Sequence, residues 1–135
     1  MPRRPRESLQ LELILNVAPV RLWAMWLHPV HHGSFTGGAE AIITDLEGEM
    51  YSCWDGYIEG RNLTLEPGRR IVQSWRTADF AAADPDSVLE LRFEPHGEGT
   101  RLELRHTELP HETGETYRKG WEDHYFQHMR EFFRT

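Results

Sequence analysis

Eight histidines in a chain of 135 residues are the first candidates for chemistry, and their spacing separates them. His124 and His128 stand four apart in a segment of helical periodicity, a spacing that can turn two imidazoles toward one metal ion, with Glu131 a further turn along. No glutamate follows His124 as a zinc-protease motif requires, so the pair is a metal candidate by spacing alone, and the other reading is two imidazoles flanking an apolar stripe. His128 lies nearer the centre of that stripe and is the better candidate for an inward position. His31 and His32 are adjacent, and adjacent residues rarely share an ion, so an exposed pair is expected. His106 ends an alternating strand on its inward face, either as a satisfied core histidine or as a polar group that orients a ligand. His106 and His128 are therefore the candidates for proton transfer.

The remaining reactive residues exclude more than they suggest. Glu90 and Glu103 fall on the outward face of their strands, Asp55 belongs to a turn, and Glu40, Asp45, Glu47 and Glu49 make an acidic rim. No inward carboxylate pair emerges, so two-carboxylate hydrolysis has little support. Ser34, Ser52 and Ser74 are not framed by a nucleophile elbow. The single cysteine, Cys53, excludes an intramolecular disulfide and a thiolate zinc cage, and is expected as a buried structural residue. There is no phosphate loop, dinucleotide fingerprint or zinc-finger spacing, and no cofactor is expected.

These residues need elements to place them. Leu9, Leu11, Leu13 and Leu15 alternate with polar residues and predict a first strand with one buried face. Pro19 opens a helix carrying Val20, Trp23, Met25, Trp26 and Leu27, which Pro29 must break, and His31 to Gly38 read as a turn or a second short helix. Turn signals at Glu47-Gly48, Asp55-Gly56, Pro67-Gly68, Asp84-Pro85 and Gly97-Glu98-Gly99 then separate five or six antiparallel strands. Ile71, Gln73 and Trp75 share one face, as do Leu89, Leu91 and Phe93, and Leu102, Leu104 and His106. The run from Tyr57 to Leu65 breaks parity, which predicts a bulge near Gly60.

From Glu115 to Arg134 the period becomes helical, with Tyr117, Trp121, Tyr125, Met129 and Phe132 on one stripe that must lie on the sheet. Gly120 costs about 1 kcal/mol relative to alanine inside a helix, and predicts a close backbone approach. Phe126 and Phe133 lie off the stripe, at the sheet rim or against a second subunit. A curved sheet closed by one helix leaves a hollow that side chains or a ligand must fill.

Length and charge bound the function. One domain is the default at 135 residues. Fifteen Lys and Arg against 22 Asp and Glu give a formal charge of −7, the wrong sign for a nucleic-acid partner. The apolar run Leu9 to Val17 is interrupted by Gln10, Glu12 and Asn16, so no signal or membrane segment is expected, and a cytoplasmic location is. Residues 1–8, with Arg3, Arg4 and Arg6 spaced by Pro2 and Pro5, read as a disordered or extended basic tail, and 9–135 as the domain.

A family resemblance rests on Ala18-Pro19-Val20-Arg21-Leu22-Trp23, Phe35-Thr36-Gly37-Gly38, Asp55-Gly56-Tyr57-Ile58 and the run from Glu66 to Trp75. Gly99 to Leu104, His106 and Gly120-Trp121 continue it in order. Together these resemble the START-like (SRPBCC) proteins, in the branch named for the activator of the heat-shock-protein-90 ATPase. The resemblance implies an α+β helix-grip fold: about six to seven antiparallel strands wrapped on a long C-terminal helix, two short helices after the first strand, and a cavity between sheet and helix. The wider superfamily carries lipids, hormones or polyketides, and includes cyclases and dehydratases. The eukaryotic co-chaperone has a further N-terminal domain, for which 135 residues leave no room, so chaperone stimulation is not carried over.

The expected function is the binding of a small hydrophobic or amphipathic molecule in that cavity. Phe35, Trp75, Leu91, Leu104, Trp121, Tyr125 and Met129 are expected to give contact area, and Gln73, His106 and His128 to fix polar ends. The alternatives are acid/base catalysis through a cavity histidine, and an interaction module such as a homodimer or chaperone partner.

Overall fold

A computed structural model describes residues 5–134. Strand β1 (Glu7–Leu15) leads into helices α1 (Pro19–Trp26) and α2 (Pro29–Ser34). Strands β2 (Met50–Cys53), β3 (Ile58–Glu66), β4 (Arg70–Thr77), β5 (Ser87–His96) and β6 (Gly99–Leu109) follow. The six strands form one antiparallel sheet in the order β1-β6-β5-β4-β3-β2. The C-terminal helix runs as α3 (Gly114–Trp121), a π-helical turn (Glu122–Phe126) and α4 (Gln127–Phe132). This is the helix-grip arrangement, with six strands.

Alternation gives the sheet one dry face. Leu89 and Leu91 of β5, and Leu102 and Leu104 of β6, are at most 1% exposed, while Glu90 stays on the other face, paired with both Arg70 and Arg92. Burying each such leucine contributes roughly 1.5–3 kcal/mol. The parity break in β3 is a bulge, but it lies between Asn62 and Thr64, past the expected Gly60. Leu63 is the extra residue and turns outward. Gly60 has a separate role, because a Cβ there would lie 1.9 Å from the Ser74 carbonyl oxygen.

Pro19 occupies the first turn of α1, and Pro29 the first turn of α2. Leu22, Trp23, Met25 and Trp26 are the buried face of α1. Val20, expected among them, is 70% exposed and rests against Gly68 in the β3–β4 turn. The first strand starts earlier than expected. Glu7 already belongs to β1, and Arg6 donates to the carbonyl oxygens of Pro85 and Glu108 at 3.1 and 2.7 Å, so it is not a solvated tail. Arg3 and Arg4 lie outside the described residues.

The start of α3 has no side-chain cap of its own, since the Thr113 hydroxyl donates to the Pro110 carbonyl instead. Glu7 supplies the missing acceptor from β1. Its carboxylate takes the Glu112 and Gly114 N–H groups at 2.7 and 2.8 Å. Those bonds, with Glu112 first, hold its carboxyl below the usual range.

The π-helical turn corrects the stripe. One extra residue in the helix advances every later position, so Phe126 falls on the sheet-facing side, 1% exposed, and Phe132 swings out to 46%. Phe126 is thus core, and Phe133 packs against the core half-buried.

Candidate functional site

The hollow between sheet and helix opens beside the β2–β3 hairpin. There a pocket of about 320 Å³ is lined by Trp54, Tyr57 and Ile58 from the β2–β3 hairpin, by Trp75 of β4, and by Thr116, Tyr117, Gly120, Trp121, His124 and Tyr125 of the C-terminal helix. That volume is at the small end of the range for small-molecule sites. None of these ten residues is Lys, Arg, Asp or Glu.

The hairpin places Trp54 by an unusual backbone. Trp54 and Asp55 have φ of 54° and 57°, and Gly56 follows at 90°. The left-handed region costs a non-glycine residue roughly 1–2 kcal/mol. Asp55 helps to hold the turn, its carboxylate accepting the Glu40 N–H at 2.7 Å while its own N–H reaches the Glu40 carbonyl. The Trp54 ring then meets His124 edge-on, 5.4 Å between centroids, at the pocket. Tyr57, the other hairpin ring, is 39% exposed and donates to the Asp79 carboxylate at 2.6 Å.

The deeper walls have their polar atoms turned into the protein. Trp121 Nε1 donates to His106 Nδ1 at 3.0 Å. Indole is only a donor, so Nδ1 accepts and Nε2 carries the proton, which it gives to Ser87 Oγ at 2.8 Å; Ser87 in turn donates to the Trp75 carbonyl. His106 is fully buried, burial lowers its pKa to about 3, and both nitrogens are taken. At the other end of the wall His32 is also buried, correcting the expected exposed pair. Its Nδ1 donates to the Trp26 carbonyl at 2.7 Å, so Nε2 accepts the Tyr125 hydroxyl at 2.7 Å. Burial, opposed by the Trp26 bond, lowers its pKa to about 4. Tyr117 shares a hydrogen bond with Thr77 at 2.8 Å.

Of the ten expected contact residues, Trp75, Trp121 and Tyr125 line the pocket. Leu91, Leu104 and Met129 are fully buried core. Phe35 is buried among Trp26, His32, Phe132 and Phe133. Gln73 is tied to Asn62 Oδ1 at 2.9 Å, and His128 lies against Gly37, where a Cβ would come within 3.3 Å of its ring. His124 and His128 thus face different surroundings, and among the described residues no group of three or more His, Cys, Asp or Glu is placed to hold a metal. Cys53 is buried and its thiol is pushed up to about 12 by burial, which keeps it protonated.

Trp54, Tyr57 and Thr116 had no periodicity to mark them. Their signal is position: two aromatic residues flank the Asp55-Gly56 turn, a place where a core ring is not needed. Gly120 corrects an expectation. No neighbour lies within 4 Å of where its Cβ would stand, so it marks an opening and not a close approach.

Sheet, helix and pocket define a helix-grip protein. The profile of the family described as "Activator of Hsp90 ATPase homolog 1-like protein" matches residues 16–134, and the chain belongs to that family. A curated relative from Dictyostelium discoideum, named "Activator of 90 kDa heat shock protein ATPase homolog", is 31% identical over 128 residues. The match takes 94% of this chain but 33% of the relative, so the chain spans about a third of its length. Among solved structures, CalU16 from Micromonospora echinospora aligns with a TM-score of 0.79 and 25% identity, over 99% of this chain and 80% of that one. An HSP90 activator from Plasmodium falciparum aligns with a TM-score of 0.78 and 21% identity, over 90% and 91%, a likeness of fold. No helix among the described residues is long and apolar enough to cross a membrane.

Proposed function

We propose that the chain binds a small hydrophobic or amphipathic molecule in the pocket between the β2–β3 hairpin and the first turns of the C-terminal helix, and that it does so in the cytoplasm. The observation that carries this reading is an aromatic hollow between sheet and helix, lined without Lys, Arg, Asp or Glu, with the polar tips of Tyr117, Trp121 and Tyr125 bonded to the protein. Such a wall offers ring surface without demanding polar partners. Acid/base catalysis gains no support from His106, whose two nitrogens are both engaged. Native mass spectrometry of the purified protein, followed by organic extraction, tests the reading. A stoichiometric apolar molecule supports it. An apo mass, with no thermal shift across a panel of aromatic and aliphatic compounds, overturns it.

A second reading, partnership with a 90 kDa heat-shock protein, is favoured by the name of the Dictyostelium relative. Its test is the ATPase rate of that chaperone with and without this chain. Stimulation supports it, and an unchanged rate at saturating concentration removes it.

A further inference from the structure

Two departures from regular backbone and one unusual residue converge on the same small pocket. Trp54 stands in the left-handed region and the helix carries a π-helical turn at Glu122–Phe126, while Gly120 sits inside regular α3. Glycine is the least favourable helix residue after proline, and is retained in a helix interior where a backbone must approach or φ must turn positive. Neither reason applies to Gly120. Its φ is not positive, and a Cβ built there meets nothing within 4 Å. What lies in front of it is the pocket, whose lining includes it.

We infer that Gly120 is a specificity-determining residue, and that the ligand is a flat, uncharged ring system laid against the bare helix backbone at that position. The inference rests on the ligand-binding reading and narrows it. A helix without a Cβ presents a flat patch that a ring covers face-on, whereas a flexible chain gains little from flatness. The neighbouring rings suit a ring as well. Trp75 and Tyr117 meet at 87° and Trp54 and His124 at 75°, while Trp75 and Trp121 lie at 35° and Trp121 and Tyr125 at 41°, so the lining holds both edge-on and tilted ring pairs. With no Lys or Arg in the lining, a carboxylate or sulfonate would find no permanent counter-charge, only the His124 imidazole at the pocket's edge.

The test titrates three probes, 2-naphthol, 1-octanol and naphthalene-2-sulfonate, into the full chain by calorimetry, and repeats the titrations on Gly120→Ala and Gly120→Val. The expected order is 2-naphthol at least tenfold tighter than either other probe. Gly120→Val is expected to weaken 2-naphthol tenfold or more and 1-octanol less than threefold. Gly120→Ala is expected to weaken 2-naphthol while raising the melting temperature, a combination that damage to the fold does not produce. Unchanged 2-naphthol binding in Gly120→Val overturns the inference. So does 1-octanol binding the unmodified chain as tightly as 2-naphthol, an outcome that leaves the wider ligand-binding reading standing. Failure of all three probes overturns the inference, while the wider reading stands or falls on native mass spectrometry.

Discussion

Toward its C-terminal end the long helix presses Phe126 and Met129, 1% and 0% exposed, into a closed core; toward its start, Tyr117, Gly120 and Trp121 border open space. Both ends are aromatic, and the difference lies in what faces them. At the closed end α1 and α2 bring Trp26, His32 and Phe35 over the helix, with Phe35 stacked 6.5 Å from Trp26 and 5.7 Å from Phe133. At the open end the facing piece is the four-residue turn between β2 and β3, which reaches the helix with single rings. Aromatic content therefore does not separate core from site, whereas the number of elements stacked above a stripe does.

Acid is expected to act on both ends and to have the largest effect. His32 and His106 are held neutral, with pKa values of about 4 and about 3, while in the unfolded chain each returns to about 6.5. The unfolded state then binds more protons below pH 6.5. The stability these groups contribute is fully present above that pH and is lost as pH falls toward 4 and then 3, on the order of several kcal/mol. Urea midpoints between pH 7 and pH 4 check this, and a flat profile contradicts the burial of both rings.

Trp121→Ala belongs to the open end and still removes core, because the indole packs on Trp75 and bonds His106. A loss of about 3–5 kcal/mol is expected in denaturant titration, together with loss of ligand. Met129→Ala sharpens the contrast. It is expected to cost about 2–5 kcal/mol with ligand affinity unchanged at temperatures where the protein stays folded. A matching loss of affinity would show that the two ends are coupled. Phe132→Ser is the mildest, expected to cost about 1 kcal/mol, because the ring is 46% exposed and keeps only edge contacts to Phe35 and Phe133. Sedimentation checks its other role: a concentration-dependent mass abolished by this change would place the ring in a dimer.

The strands and the inward faces of β4, β5 and β6 were readable from alternation, since period two assigns faces without knowledge of neighbours. So was a C-terminal helix carrying Trp121 and Tyr125 against the sheet. The π-helical turn was not, because a fixed 100° per residue carries Phe132 inward and leaves Phe126 out, and no residue type announces the extra step. His32 looked exposed for a related reason. Its partners, the Trp26 carbonyl and the Tyr125 hydroxyl, are 6 and 93 residues away, and only the fold joins them. The pocket was placed too broadly along the helix, because periodicity identifies a buried face but not the point along it where the covering elements stop.

The pairing of β1 with β6 sets the order in which this fold can be completed. Gln10 and Glu103, joined across the two strands, are 93 residues apart, and Glu7 caps a helix that begins later still. Contacts of such high sequence separation slow folding, because their loop-closure entropy must be met before they are made. At roughly 5–20 residues per second, the ribosome leaves β1 without its partner for about 5–20 s. During that interval Leu9, Leu11, Leu13 and Leu15 form an apolar strand without its neighbour, so the newly made chain is exposed to association with other chains until its far end arrives.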